Sequence, residues 1–154
     1  MPTEMKSPLL LVEDNEDDVI IIKQAIHKVD PFLPVEVVRQ GEDAMHYLNG
    51  DGAFADRARF ALPYLILLDL KMPGWNGFDF LEWLRCQPKL ERIPVVVLTS
   101  SGLDDDVRKA FRLGAKSYLL KPSDFSDLQE LMRLLKLYWP VIAETVVVSR
   151  EPSA

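Results

Sequence analysis

Only one cysteine, Cys86, occurs in the 154 residues, so no internal disulfide can form, and it is read as a plain small side chain on a helix. Histidine is nearly as scarce. His27 and His46 fall on different predicted helices without metal-ligand spacing, so surface or half-buried structural roles are expected for both. Basic residues are outnumbered, 18 Lys and Arg against 24 Asp and Glu. The resulting net charge of −6 lacks the basic face of an electrostatic nucleic-acid footprint, so no nucleic-acid partner is expected. No apolar run reaches the about eighteen residues of a membrane span, and Met1-Pro2-Thr3-Glu4 does not read as a signal peptide; no membrane contact and a cytoplasmic location are expected. Glycine is sparse too, seven in all, and none builds a Gly-rich phosphate loop after a strand, which argues against a nucleotide enzyme.

What is present is three short segments: Leu9-Leu10-Leu11-Val12-Glu13-Asp14, Leu65-Ile66-Leu67-Leu68-Asp69 and Tyr118-Leu119-Leu120-Lys121-Pro122. Each is an apolar run ending in charge. Such runs read as buried strands of a parallel sheet, and parallel strands deliver their C-terminal ends to one edge, where ligands bind in open α/β sheets. Glu13, Asp14, Asp69 and Lys121 are therefore expected to converge.

The rest of the chain alternates in the same way. Val19, Ile22, Ile26 and Val29 line one face of a helix over 16–29, and a short strand over 35–38 follows Pro31 and Pro34. A helix over 41–48 ends at Asn49-Gly50-Asp51-Gly52, and a polar surface loop is expected to Arg59. Further helices are expected over 78–85, 104–113 and 124–138, with strands over 94–98 and 117–120. Three aspartates open the helix at 104, favourably against its dipole, and Gly114 is placed for a left-handed C-cap. Five strand–helix units without repeat or linker predict an α/β fold, a five-stranded doubly wound parallel sheet with five helices. The domain is expected to span 8–143, with terminal extensions 1–7 and 144–154.

Two or three carboxylates within about 4 Å repel by roughly 4 kcal/mol per pair at an effective dielectric of 20, so such a cluster implies a cation. Oxygen-only ligands favour a hard ion, and Mg²⁺ is the expected cofactor. Asp14 and Asp69 are expected on the metal, with Glu13 acting through water. The turn-rich loop Asp69-Leu70-Lys71-Met72-Pro73-Gly74-Trp75-Asn76-Gly77 can turn a carbonyl towards the ion, and that of Lys71 is the candidate. Lys121 faces the cluster, able to pair with a carboxylate and later with a phosphoryl oxygen; a cis Lys121-Pro122 bond would aim it inward. Thr99 ends the fourth strand, where its hydroxyl can donate to a phosphoryl oxygen, with Ser100 and Ser101 as competitors. Trp75 can gate access or report on the site by fluorescence.

In their order and spacing, Glu13-Asp14, Asp69 with Met72-Pro73 and Gly77, Thr99, and Lys121-Pro122 resemble the receiver domains of two-component response regulators, over about residues 8–138. The resemblance implies the flavodoxin-like receiver fold and a phosphoacceptor, Asp69, that attacks a phosphohistidine on a sensor histidine kinase. It implies that the Lys71 carbonyl completes the Mg²⁺ shell and that Thr99 and Lys121 bind the phosphoryl oxygens. It makes Thr99 and Tyr118 the switch, with Tyr118 turning inward on activation. Glu13 departs from the aspartate found there in many receivers. Leu-Val-Glu-Asp-Asn at 11–15, the long loop before Pro63, Ile93 to Thr99, Asp105-Asp106-Val107 and Tyr138-Trp139 are similar to single-domain regulators of phytochrome kinases.

Output is then expected through protein contacts. Leu128, Leu131, Met132, Leu134, Leu135, Leu137 and Tyr138 exceed the stripe one sheet contact needs, and Trp139, Val141, Ile142 and 146–148 continue the excess. A homodimer is expected through the fourth helix, fifth strand and fifth helix, extended by the C-terminal segment, with Leu134, Leu137, Tyr138 and Trp139 on its face; Pro140 removes a backbone donor, so the helix is expected to kink or stop near Trp139. A phosphorelay intermediate and a Mg²⁺-dependent aspartyl-phosphate phosphatase-type enzyme are the alternatives. The enzyme wants an acid/base carboxylate two residues after the nucleophile, where Lys71 stands, so no separate substrate is expected.

Overall fold

The structure is a computed structural model and describes residues 7–149. Its sheet is built on three strands whose every residue is buried: β1 (Leu9–Val12), β3 (Leu65–Leu68) and β4 (Val95–Thr99). The half-buried β2 (Val35–Val38) and β5 (Ser117–Leu120) form the edges. The order is β2-β1-β3-β4-β5 with every pairing parallel, which is the expected five-stranded doubly wound sheet.

Five helices cover it: α1 (Glu16–Val29), α2 (Gly41–Asn49), α3 (Gly77–Arg85), α4 (Asp104–Arg112) and α5 (Phe125–Ser149). Because side chains alternate across a strand, each apolar run feeds two cores. Leu9, Leu11, Leu65, Leu67, Val96 and Leu98 pack under α1 and α5, against Ile22, Ile26, Leu128 and Met132. Leu10, Val12, Ile66, Leu68, Val95 and Val97 pack under the other helices, against Tyr47, Phe80, Leu81 and Ala110. Each buried aliphatic side chain contributes roughly 1.5–3 kcal/mol, so a polar substitution in either set is felt directly. The chain leaves β1 outward to β2 and returns to β3 on its other flank. That reversal opens a crevice at the C-terminal ends of β1 and β3.

Two local expectations are corrected and a third gains detail. The segment after α2 is the expected surface loop, but it is anchored. It makes a 3₁₀ turn at Gly52–Phe54, and the rings of Phe54 and Phe60 pack on Tyr47 at 5.2 and 5.9 Å. The Arg57 guanidinium donates to the carbonyls of Tyr47 (2.8 Å) and Leu48 (2.5 Å), closing the end of α2. No peptide bond among the described residues is cis, so Lys121-Pro122 is trans. The Lys121 N–H donates to the Thr99 carbonyl at 2.8 Å and continues the ladder past the end of β5, which directs the lysine without a cis turn.

Finally, α5 runs through Pro140 to Ser149 instead of stopping near Trp139. Proline forfeits one bond, to the Lys136 carbonyl, in a helix already nucleated by its packing on α1 and the sheet. Lys136 marks the end of that packing, with Nζ 3.6 Å from Asp30 Oδ2 just past α1. The side chain of Trp139 and those of the apolar residues after it lie outside what the structure describes. Gly114 does take the left-handed conformation expected of it, at φ +105.

Candidate functional site

Backbone hydrogen bonds carry the sheet's ladder one residue beyond its strands, and those residues form the site. The Glu13 N–H donates to the Val38 carbonyl and the Asp69 N–H to the Val12 carbonyl, each at 3.0 Å. Together with Lys121 on Thr99, these bonds fix the site's main chain before any side chain interacts.

Asp69 is the centre. It is buried, Thr99 Oγ1 donates to its Oδ1 at 2.9 Å, and the Lys71 N–H donates to the same oxygen at 3.3 Å. Its Oδ2 accepts from Lys121 Nζ at 3.2 Å. Glu13, Asp14 and Asp69 each offer a carboxylate oxygen, all within 4.8 Å of one another. Glu13 is 1% exposed, whereas Asp14 faces solvent.

Glu13 Oε1 lies 2.5 Å from Lys121 Nζ in a buried ion pair, and this oxygen meets no other donor among the described residues. Three carboxylates whose oxygens lie within 4.8 Å of one another, with a single ammonium among them, are a donor set for a hard divalent cation, and these residues could hold one.

Burial pushes the Glu13 carboxyl up to about 8, outweighing the opposing pull of Lys121, with the Asp69 carboxylate adding to the rise. For Lys121, burial disfavours the ammonium, but bonds to Glu13 and Asp18 and the charge of Asp69 outweigh it and hold the pKa above that of an ordinary lysine. A carboxyl with a raised folded-state pKa stabilises fully below its unfolded value of 4.5 and loses that stabilisation as pH rises through about 8. The metal-free protein is therefore expected to lose thermal stability between about pH 5 and pH 8, and Glu13→Gln to flatten that slope. Coincident pH profiles of melting temperature would overturn the assignment.

The loop after Asp69 is held from two sides. Gly77 starts α3 with its N–H on the Leu70 carbonyl at 3.0 Å, and a Cβ there would stand 2.6 Å from the Asp69 carbonyl oxygen. Only glycine lets α3 begin so close to the Asp69 backbone. The N–H of Trp75 donates to Glu42 Oε1 on α2 at 2.7 Å.

The structure also separates the hydroxyls after β4. Thr99 is on Asp69, while Ser101 Oγ donates to Asp106 Oδ2 on α4 at 2.5 Å. The Tyr118 hydroxyl donates to the Ser101 carbonyl at 2.7 Å, tying β5 to the same loop.

One site residue escaped the sequence: Asp18, whose Oδ2 accepts from Lys121 Nζ at 2.9 Å. A signal existed in Asn15, which caps α1 by accepting from the Asp18 N–H at 3.0 Å and thereby sets Asp18 in the first helical turn above the strand ends.

Comparison with known proteins identifies the family of the fold. A model of the response regulator receiver domain matches residues 9–133. The response regulator Rcp1 of Synechocystis sp. is 34% identical over 131 residues, covering 85% of this chain and 87% of that protein. A probable methanogenesis regulatory protein, FilR2 of Methanothrix harundinacea, is 37% identical over 134 residues, covering 85% and 82%. Among solved structures, the phosphorylated cyanobacterial phytochrome response regulator RcpA superposes with a TM-score of 0.80 at 34% identity, covering 88% of this chain and 95% of that one. The bacteriophytochrome response regulator RtBRR gives 0.72 at 40% identity, covering 86% and 78%. The acidic trio with its central buried aspartate, the threonine and the lysine thus stand in a flavodoxin-like sheet shared with phytochrome-associated relatives, and the chain belongs to the response regulator receiver domain family.

Proposed function

We propose that this receiver, spanning 8–143 with extensions 1–7 and 144–154, takes a phosphoryl group from a phosphohistidine of a sensor histidine kinase onto Asp69 and signals through changed protein contacts. The observation that carries it is Asp69 itself. A buried carboxylate ends a central strand, with a hydroxyl and an ammonium on its two oxygens and two more carboxylates within 4.8 Å.

In the transfer, an Asp69 carboxylate oxygen attacks phosphorus, the bond from phosphorus to the histidine nitrogen breaks, and its electron pair stays on the imidazole. Thr99 and Lys121 are placed to turn from Asp69 to the new phosphoryl oxygens. We assign Asp14, Asp69 and the Lys71 carbonyl to Mg²⁺ directly and Glu13 through water. The ion supplies neutralisation of the phosphoryl charge. A structure of Rcp1 is described as its Mn²⁺-bound form, which supports a divalent cation here.

The chain promotes its own phosphorylation and dephosphorylation and acts on no separate substrate. A phytochrome-type kinase is the proposed donor because RcpA and RtBRR are described as phytochrome and bacteriophytochrome response regulators. A single cysteine suits the reducing cytoplasm, where we place it. No helix among the described residues is long and apolar enough to cross a membrane. Thr99 and Tyr118 form the proposed switch. Phosphorylation recruits Thr99, and the Tyr118 hydroxyl on the Ser101 carbonyl, two residues along the same loop, reports the change to β5 and α4.

Radiolabel from an autophosphorylated phytochrome-type kinase should pass to this protein within minutes with Mg²⁺ and fail to pass with excess EDTA. Transfer undiminished by EDTA would refute the metal's role, and no transfer from such kinases would refute the pairing.

Within the site, Asp14→Asn should weaken Mg²⁺ binding about tenfold or more, since a direct anionic ligand is lost; Glu13→Gln should cost less. Trp75 fluorescence during Mg²⁺ titration reads both. Equal losses would contradict the proposed shells.

A further inference from the structure

Lys121 is ringed by three carboxylates: Nζ stands 2.5 Å from Glu13 Oε1, 2.9 Å from Asp18 Oδ2 and 3.2 Å from Asp69 Oδ2. Two of the three belong to the cluster that could hold a divalent cation; Asp18 does not. A metal and an ammonium drawn to the same two carboxylates in a largely buried site repel each other, and the repulsion is barely screened there. The lysine therefore has to withdraw from Glu13 and Asp69 as the metal enters.

Its main chain cannot follow, because the Lys121 N–H is held by the Thr99 carbonyl at 2.8 Å. Only the flexible four-carbon stem can swing. Asp18 lies within that swing, and its own main chain is held by the Asn15 cap at 3.0 Å. Its side chain is 38% exposed, so a charged pair there keeps contact with water, whereas Lys121 is 16% exposed and would find no other carboxylate among its present partners.

We propose that Asp18 is a positioning residue that receives Lys121 when the metal is bound. It relieves the competition between the two cations and keeps the ammonium one swing away from a phosphoryl oxygen on Asp69. The inference rests on the metal-binding reading of the same site. It gives α1 a share in tuning metal affinity, through a residue that is no metal ligand.

The test is a double-mutant cycle read by calorimetric Mg²⁺ titration of the full-length protein. Asp18→Asn should weaken Mg²⁺ binding by about fivefold, because Lys121 then stays on Glu13 and Asp69, and Asp18→Glu should restore most of the loss. Lys121→Met should bind Mg²⁺ more tightly than wild type, and adding Asp18→Asn to it should change affinity by less than about twofold. Equal weakening in both backgrounds would show that Asp18 acts only as a distant charge and would overturn the proposal, as would no weakening in the wild-type background. Failure of the wild type itself to bind Mg²⁺ would instead overturn the metal reading and this inference with it. A crystal structure of the wild type with Mn²⁺ avoids any folding defect of Lys121→Met. Nζ at hydrogen-bond distance from Asp18 and withdrawn from Glu13 and Asp69 supports the proposal, and Nζ remaining on Glu13 overturns it.

Discussion

Incubated with acetyl phosphate and Mg²⁺, the wild-type protein is expected to gain the mass of one phosphoryl group, and Asp69→Asn to gain none. The effect is all-or-none because an uncharged amide is no nucleophile towards phosphorus, and no other carboxylate of the site is placed to substitute. Glu13 is buried against Lys121, and Asp14 faces solvent without the Thr99 hydroxyl that Asp69 receives at 2.9 Å. Asparagine keeps the shape of the side chain and an acceptor oxygen for Thr99, so circular dichroism and melting should show an intact fold. Intact-mass spectrometry reads the adduct, and hydroxylamine should remove it, as it does an acyl phosphate. An undiminished adduct on the variant, or one stable to acid and hydroxylamine, would sink the assignment.

Sedimentation should find the full-length protein dimeric at tens of micromolar and a chain ending at Lys136 monomeric. On α5, Leu128, Met132 and Leu135 are consumed by the sheet, whereas Leu134, Leu137 and Tyr138 are 38, 62 and 61% exposed. On the neighbouring elements Phe111 of α4 and Leu120 of β5 are exposed as well, at 47 and 53%. Apolar side chains spread over three consecutive elements suit isologous two-fold pairing, and a stable dimer needs about 1,000 Å² buried in total. The helix runs on for thirteen residues from Leu137 to Ser149, about 20 Å. We therefore propose the homodimer expected from the sequence, through α4, β5 and α5. Leu137→Asp, which disturbs no buried contact, should weaken it by tenfold or more. If full-length and shortened chains both run as monomers, the face belongs to another partner, most simply the kinase; if both run as dimers, the C-terminal helix is not what joins them.

Much of the fold was legible because a parallel sheet covered on both sides needs continuous apolar runs, and those runs carry their charged ends with them. Leu9–Val12 and Leu65–Leu68 could be located to the residue, and Glu13, Asp69 and Lys121 followed from where the runs stopped. Thr99 was placed by the same logic and proved to be the hydroxyl on Asp69. The C-cap at Gly114 was legible because only backbone conformation is at stake there.

Other features depended on distances that no local pattern encodes. Arg57 looked like one more polar residue of a loop, and only the folded chain brings its guanidinium onto the carbonyls of Tyr47 and Leu48. Pro140 read as a helix kink or stop, and the stop did not occur because local propensity counts the lost hydrogen bond and not the packing that nucleates the helix before it.

By itself, then, the order of residues determined the strands, the family and the group of charges that must meet, since strand length, apolar content and C-terminal charge are properties of contiguous sequence. Only the tertiary structure decided how those charges share one another: that Lys121 divides its ammonium among Glu13, Asp18 and Asp69, and that Ser101 serves Asp106 and Tyr118 while Thr99 serves Asp69. The reason is physical. Pairing energies at 2.5–3.2 Å fall steeply with separation, and separations between residues 103 positions apart are set by the packing of α1 against the sheet, not by the chain between them.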